Sequence, residues 1–137
     1  MGVAQTFGYG SAATAGISYS HQVGVVYGAD DRFGCFFSTC LGGASDVSLE
    51  NYVATGFYNS YDDVRGTATA IVEEVGFPPP SVLSYSTSQI LNQNDPPMFI
   101  GTEDALSIGV SLAPVSFGVY VCTTVVDTFV PPDGGRA

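Results

Sequence analysis

Bulky and small residues alternate along most of this chain. Between residues 17 and 27, bulky side chains such as Ile17 and Tyr19 occupy odd positions, while Ser18 and Ser20 occupy even ones. A period of two is typical of a β-strand with two unlike faces. Because the pattern recurs almost to the C-terminus, the sequence predicts an all-β chain of amphipathic strands.

The alternation and the turn residues between its segments predict about eight strands. Gly42 and Gly43 are predicted to end the third of them, and weak helical signals occur at residues 46–52 and 104–108. The predicted fold is a single antiparallel β-barrel or a two-layer β-sandwich. Residues 1–129 form one predicted domain, and residues 130–137 form a flexible C-terminal tail. The predicted strands are residues 3–9, 15–27, 33–41, 47–58, 67–75, 81–91, 106–113 and 115–125, with a short strand or edge at 98–100.

Two turn regions resemble each other. Residues 27–34 read Y-G-A-D-D-R-F-G and residues 58–66 read Y-N-S-Y-D-D-V-R-G, so that each has a tyrosine, two aspartates, an arginine and a glycine. Polar, Gly-containing connections between alternating segments are typical of β-hairpins. We therefore predict two similar hairpins, side by side at one end of the sheet.

Glycine, serine, alanine and threonine dominate one face of several predicted strands. The favoured interpretation is that this small-residue face lies in water and that the core takes up most of the phenylalanines. A second sheet, a ligand or the aqueous lumen of a pore could also lie against the small-residue face. Open strand edges would favour self-assembly.

The large excess of acidic over basic residues argues against several classes of function. The 137 residues include 13 acidic residues and three basic ones, all arginine, for a formal net charge of −10. Such a chain cannot form the basic patch that binds nucleic acid, and it does not attract anionic lipid or phosphate. Its apolar stretches are shorter than the ~20 residues of a membrane helix. No signal peptide is visible at Met1, so localisation stays open, with a secreted or cell-surface protein favoured.

The three cysteines are Cys35, Cys40 and Cys122. Cys35 and Cys40 would lie about 16 Å apart in one extended strand, which is too far for a disulfide. Buried, unpaired thiols are the favoured interpretation, although Cys122 could pair with either cysteine on a neighbouring strand. His21 is the only histidine, so a zinc site of ordinary spacing is not indicated.

Four aspartates in the two turn regions are candidate metal ligands. Carboxylates on loops suit calcium, which is therefore the one possible cofactor, but no EF-hand spacing is present. Hydrogen bonding of aspartate within turns is the favoured explanation, together with ion pairs to Arg32 and Arg65. The candidate ligands are Asp30, Asp31, Asp62 and Asp63.

Glu73 and Glu74 are adjacent at the end of a predicted strand. Adjacent strand residues point to opposite faces, so one of the two could face inward and act as a general acid or base. A solvated strand end is the favoured interpretation.

His21 shares the odd positions with Tyr19 and is predicted to be a core or rim residue. If it faced a cavity, it could form a small ligand-binding or acid/base set with nearby tyrosines. The candidate ligand-binding residues are His21, Tyr19, Tyr27 and Tyr85.

The leading hypothesis is a non-enzymatic β-domain that acts by surface recognition and self-association. Its sharpest form is a secreted effector or pore-forming toxin with a cell-surface or membrane target. One alternative is a small barrel whose cavity binds or isomerises an apolar ligand. Another is a structural subunit of a particle or filament.

Overall fold

The computed structural model describes residues 3–29, 31–76, 83–94, 96–111 and 115–129. Residues 62–64 form one short 3₁₀ turn. No helix within these ranges is long and apolar enough to cross a membrane. The strands are β1 Ala4–Gly28, β2 Phe33–Tyr58, β3 Gly66–Gly76, β4 Leu83–Asn92, β5 Phe99–Ser111 and β6 Val115–Phe129.

The strands close into one antiparallel β-barrel. One edge of β2 pairs with β1 along nearly its whole length. The other edge pairs with β6 over residues 33–44 and with β5 over residues 48–58. The remaining pairs β5–β4, β4–β3 and β3–β6 complete the circuit. The two long strands β1 and β2 each pass along the wall twice, so the six strands provide about eight passes. This arrangement confirms the predicted antiparallel barrel of about eight strands.

Both long strands fold back at their middle. The bend in β1 is at Gly16, whose φ of 79° is in the left-handed region that favours glycine. Opposite this one residue, β2 carries residues 44–46, which produces a bulge in the pairing. The arms of β1 then meet, because the Ala29 amide donates to the Val3 carbonyl at 2.9 Å. A Cβ at Gly24 would overlap the Phe7 carbonyl oxygen, so the arms also approach closely there.

The barrel therefore has two distinct ends. We call one the turn end, because it carries the turn at residues 28–32 and the 3₁₀ turn at 62–64. We call the other the bend end, because it carries the bends of β1 and β2. β3 and β5 run from the turn end to the bend end, and β4 and β6 run back.

Several predicted boundaries are wrong. Segments 3–9 and 15–27 belong to one strand, as do 33–41 and 47–58, and residues 46–52 and 104–108 are strand rather than helix. Gly42 does not end a strand; it lies where β6 approaches so closely that a Cβ would overlap the Val119 carbonyl oxygen. β5 begins at Phe99, so the predicted edge at 98–100 is its start. The three successive prolines at 78–80 predict an extended connector over residues 77–80, because proline cannot donate to a sheet. This connector and the predicted tail 130–137 lie outside the described residues.

The two turn regions lie side by side, as predicted. Arg32 of the first turn contacts Asp62 of the second, at 3.0 Å between Nη1 and Oδ1. Only the first turn joins paired strands, however. β2 and β3 are not neighbours in the barrel, so residues 59–65 form a crossover over the turn end rather than a hairpin.

The faces of the strands are reversed relative to the favoured prediction. Ile17 is 74% exposed, while its neighbour Ser18 is 0% exposed. The same contrast holds for most positions around the wall: most bulky apolar residues point outward and the small-residue face lines the interior, with Val26, Phe36 and Ile90 among the bulky residues that point inward. The expectation that this face lies on the water-exposed outside is therefore wrong.

Candidate functional site

The interior of the barrel contains a narrow cavity that is lined by both polar and apolar side chains. Ala70, Ile90 and Ile100 form a small buried apolar cluster within the barrel. Its volume is about 130 Å³, and its lining reaches from Val64 at the turn end to Ser116 near the bend end. Small side chains on every strand leave this space free. Serines on five of the six strands line it, among them Ser20, Ser38, Ser48, Ser86, Ser88, Ser107 and Ser116.

Three glutamates project into this cavity from three different strands. Glu50 on β2 and Glu74 on β3 lie toward the bend end, and Glu103 on β5 lies nearer the turn end. Ser116 Oγ donates to Glu74 Oε1 at 3.4 Å. Glu74 lines the cavity and Glu73 is exposed on the outer face, so the favoured interpretation of a solvated strand end is wrong for Glu74 and the alternative that one of the pair faces inward is correct.

The cavity lining in the described part of the chain contains no arginine or lysine. Arg32 and Arg65 both lie at the turn end, where their guanidinium groups contact Asp62 Oδ1 at 3.0 and 3.5 Å. These ion pairs agree with the prediction that the arginines pair with the turn aspartates. The acidic and basic side chains that line the cavity in the described residues are therefore all carboxylic acids.

An apolar plug closes the cavity at the turn end. The crossover places Tyr61 and Val64 inside the barrel, against the inward-facing Val26 and Phe36. The Tyr61 hydroxyl lies 2.9 Å from Thr128 Oγ1. The ring of Tyr61 is thus held from the side by β6, which fixes the plug within the barrel mouth.

Thr6 and Gln22 are polar residues of β1 that line the cavity and are at most 5% exposed. The Gln22 side chain interacts with the carboxyl group of Glu103. Thr6 Oγ1 has no hydrogen-bond partner among the described residues. Because a buried polar group without a partner is costly, this hydroxyl group is suited to contact water or a polar solute in the cavity.

The outer wall carries apolar side chains around the whole barrel. Leu49, Ile108 and Val125, from three different strands, are each more than 60% exposed. Aromatic residues lie on this wall near both ends. At the turn end they are Tyr27, Phe33, Phe57, Phe99 and Phe129, and toward the bend end they are Tyr19, Tyr85 and Phe117. Phe7, Tyr9 and Phe37 are also exposed and lie between the two ends.

Acidic side chains are few on the outer wall of the described strands. Asp127 and Glu73 lie within three residues of a strand end, and Asp104 lies farther along β5. Asp104 is half-buried and accepts a hydrogen bond from Tyr85. Both line a shallow outer groove with Phe7 and Leu106.

The predicted ligand-binding residues are not brought together in the interior. His21, Tyr19, Tyr27 and Tyr85 are all exposed on the outer face, so the placement of His21 in a core or at a cavity wall is wrong. The Tyr19 and His21 rings are neighbours, with centroids 6.1 Å apart. A role of these four residues in ligand binding stays a prediction, and it would have to be a role at the outer surface.

The predicted calcium ligands do not form a recognisable metal centre. Asp30 lies outside the described residues, and Asp31 is in the first turn with a φ of 70°. Asp62 contacts two arginines, and Asp63 lines the interior cavity. Among the residues that the structure describes, no group of three or more His, Cys, Asp or Glu side chains could hold a metal ion. Calcium binding, which these aspartates suggested, stays an untested prediction.

Two cysteines form a disulfide. Cys40 and Cys122 are opposite each other in the β2–β6 pairing, with Cα atoms 4.0 Å apart. The favoured prediction of unpaired thiols is wrong for these two, and the alternative that Cys122 pairs across a neighbouring strand is correct. Cys35 is free but exposed on the outer wall rather than buried.

The sequence did not single out Glu50 and Glu103, which line the cavity, or Tyr61 and Val64, which form the plug. Glu50 and Glu103 each occupy a position on the small-residue face, where a carboxylate is conspicuous, and that was the available signal. Nothing local indicates that the crossover enters the barrel. No protein-family profile, curated protein or solved structure matches this chain.

Proposed function

We propose that this chain is a non-enzymatic β-barrel that inserts into a membrane, with its outer wall against lipid. The observation that most supports this proposal is that the barrel is inside out compared with a water-soluble protein. Most large apolar side chains point outward, whereas serine hydroxyls and glutamate carboxylates point inward. Transmembrane β-barrels have this apolar-out, polar-in alternation. A barrel folded for water would bury the apolar set instead.

Strand length and the aromatic residues support the same proposal. A membrane-spanning strand needs about 9–11 residues when tilted. β3 has 11 residues and β4 has 10, while β5 and β6 are somewhat longer. The aromatic residues toward the two ends of the outer wall correspond to the aromatic girdles at the two membrane interfaces. A pore-forming effector is the most specific form of this proposal.

Self-association through the outer wall is the second candidate. The groove around Asp104 favours it, because a half-buried carboxylate is costly against lipid but can be hydrogen-bonded at a protein contact. A barrel that binds or isomerises an apolar ligand is favoured by the apolar part of the lining, such as Phe36, Val72 and Ile90, but three glutamates project into the same space.

The native Cys35 provides a direct test of membrane insertion. It is the free, exposed cysteine of the outer wall, whereas Cys40 and Cys122 are joined. Purified protein is added to zwitterionic vesicles and treated with a charged, membrane-impermeant thiol reagent. We expect vesicles to slow the modification of Cys35 by at least about tenfold, since a lipid-covered thiol is shielded from water.

The matched control places the thiol outside the barrel wall. In the Cys35→Ser/Ala29→Cys variant the cysteine lies in the exposed turn, six residues from its original position. Its modification rate should not change with vesicles. If Cys35 reacts at the same rate with and without vesicles, membrane insertion is wrong. A vesicle-independent oligomer in size-exclusion chromatography would then favour self-association.

A further inference from the structure

The charge facing the barrel interior is entirely acidic within the described residues. Glu50, Glu74 and Glu103 line the cavity at different distances from the bend end, and Asp63 of the crossover lines it at the turn end. In a space bounded by a low-dielectric wall, such charges attract cations and repel anions strongly. Rings or rows of carboxylates confer cation selectivity on channels for this reason.

A second observation concerns a buried polar group that faces the cavity. Thr6 Oγ1 is buried, faces the cavity and has no hydrogen-bond partner among the described residues. The cavity volume of about 130 Å³ accommodates roughly ten water molecules at ~10–15 Å³ of such volume each. Water held there can satisfy this hydroxyl group and, together with the glutamates, can surround a small ion.

The apolar plug determines when this space is continuous from end to end. Tyr61 and Val64 occupy the turn end, so the passage is closed there. The plug belongs to the crossover and not to a strand, and residues 61–65 contribute no ladder pairing to the wall. It can therefore be displaced without breaking the barrel.

We propose that the interior is a passage for small hydrated monovalent cations, closed at the turn end by Tyr61 and Val64. This proposal rests on the membrane insertion proposed above and specifies what the inserted barrel would admit. It concerns a physical path only, so no bond is formed or broken.

The test measures K⁺ against Cl⁻ permeability of the full chain in a planar bilayer under a KCl gradient. Val64→Gly is included to weaken the plug and should raise the conductance at least about threefold over the wild type. For the Val64→Gly variant we expect a K⁺/Cl⁻ permeability ratio of about ten or more. Replacing all three interior glutamates by glutamine should reduce the ratio to about one or two.

Glu73 and Glu74 provide the matched control. Glu74→Gln and Glu73→Gln make the same chemical change at adjacent positions, but only Glu74 lines the cavity. Glu74→Gln should lower the permeability ratio about twofold, and Glu73→Gln should leave it unchanged. Circular dichroism of each variant checks that the β-structure is retained.

The bilayer measurements and the Cys35 modification experiment together distinguish failure of the cation passage from failure of membrane insertion. If Cys35 is protected by vesicles but Val64→Gly conducts no ions or shows no preference for K⁺, the cation passage is wrong and insertion stands. An equal effect of Glu73→Gln and Glu74→Gln would also overturn it, since the charge would then act from outside the wall. If Cys35 is not protected, the membrane proposal itself is wrong.

Discussion

The guanidinium group of Arg32 lies over the ring of Tyr61, with its central carbon 4.6 Å from the ring centroid. The same side chain contacts Asp62. Arg32 therefore connects the first turn to the plug by a cation–π contact and an ion pair. Because Tyr61 is inside the barrel mouth, Arg32 contacts the plug from its outer side and helps to hold Tyr61 in place.

Arg32→Ala should lower the free energy of unfolding by about 1–2 kcal/mol, through the loss of the cation–π contact and the ion pair. Arg65→Ala is the matched control, since it removes the same charge but only a 3.5 Å contact with Asp62. The control should cost less than about 0.5 kcal/mol. Urea unfolding in detergent measures both variants. Equal losses would show that the Tyr61 contact contributes nothing.

The Cys40–Cys122 disulfide joins residues 82 apart in sequence. Replacing both cysteines by serine should lower the unfolding free energy by about 4 kcal/mol, because the unfolded chain loses a long covalent loop. Cys35→Ser removes a thiol outside this bridge and should have little effect. Mobility on a non-reducing gel reports whether the bridge is formed. If wild-type mobility does not change on reduction, the disulfide is absent.

Val121 is near the middle of β6 and is 51% exposed on the outer wall. Val121→Arg should weaken partitioning into vesicles by about 2–4 kcal/mol, the cost of arginine on a lipid-facing strand near the bilayer centre. Ala29→Arg adds the same charge in the turn and should leave partitioning nearly unchanged. Vesicle flotation quantifies both. Unaltered partitioning of Val121→Arg would contradict contact between this wall and lipid.

Gly16 and Gly43 lie close together at the bend end but have different backbones. Only Gly16 has a positive φ, and a Cβ at Gly43 would make only an ordinary contact with Gly16, 3.4 Å from its carbonyl oxygen. Gly16→Ala should therefore destabilise the barrel by about 1–2 kcal/mol. Gly43→Ala should be tolerated within about 0.5 kcal/mol. Thermal unfolding followed by circular dichroism compares them, and equal midpoints would contradict a bend that depends on Gly16.

The alternation in the sequence predicts the strands and their two faces, but not which face is inside. Ile17 and Ser18 are assigned correctly to opposite faces, yet a period of two is the same for an apolar-in and an apolar-out barrel. The favoured assignment followed water-soluble proteins and put phenylalanines in the core. Among the phenylalanines, Phe36 is buried, whereas Phe37 is exposed on the outer wall.

Long-range contacts could not be predicted from local patterns. The Cys40–Cys122 bridge depends on β2 being the neighbour of β6, a pairing that joins distant parts of the chain. The bend at Gly16 could not be predicted from the sequence for a different reason. Odd positions point outward on both sides of it, so the alternation continues through the bend without a change of phase.

The bent β1–β2 hairpin has a consequence for the order of folding. Its strands are joined by a turn of a few residues, whereas β5 and β6 must reach β2 across much longer loops. Short loops close faster than long ones, so we expect this hairpin to form first and to present one edge as a template. The half-finished barrel would then expose an unpaired strand edge until β6 arrives, and this interval is when one copy is most vulnerable to pairing with another.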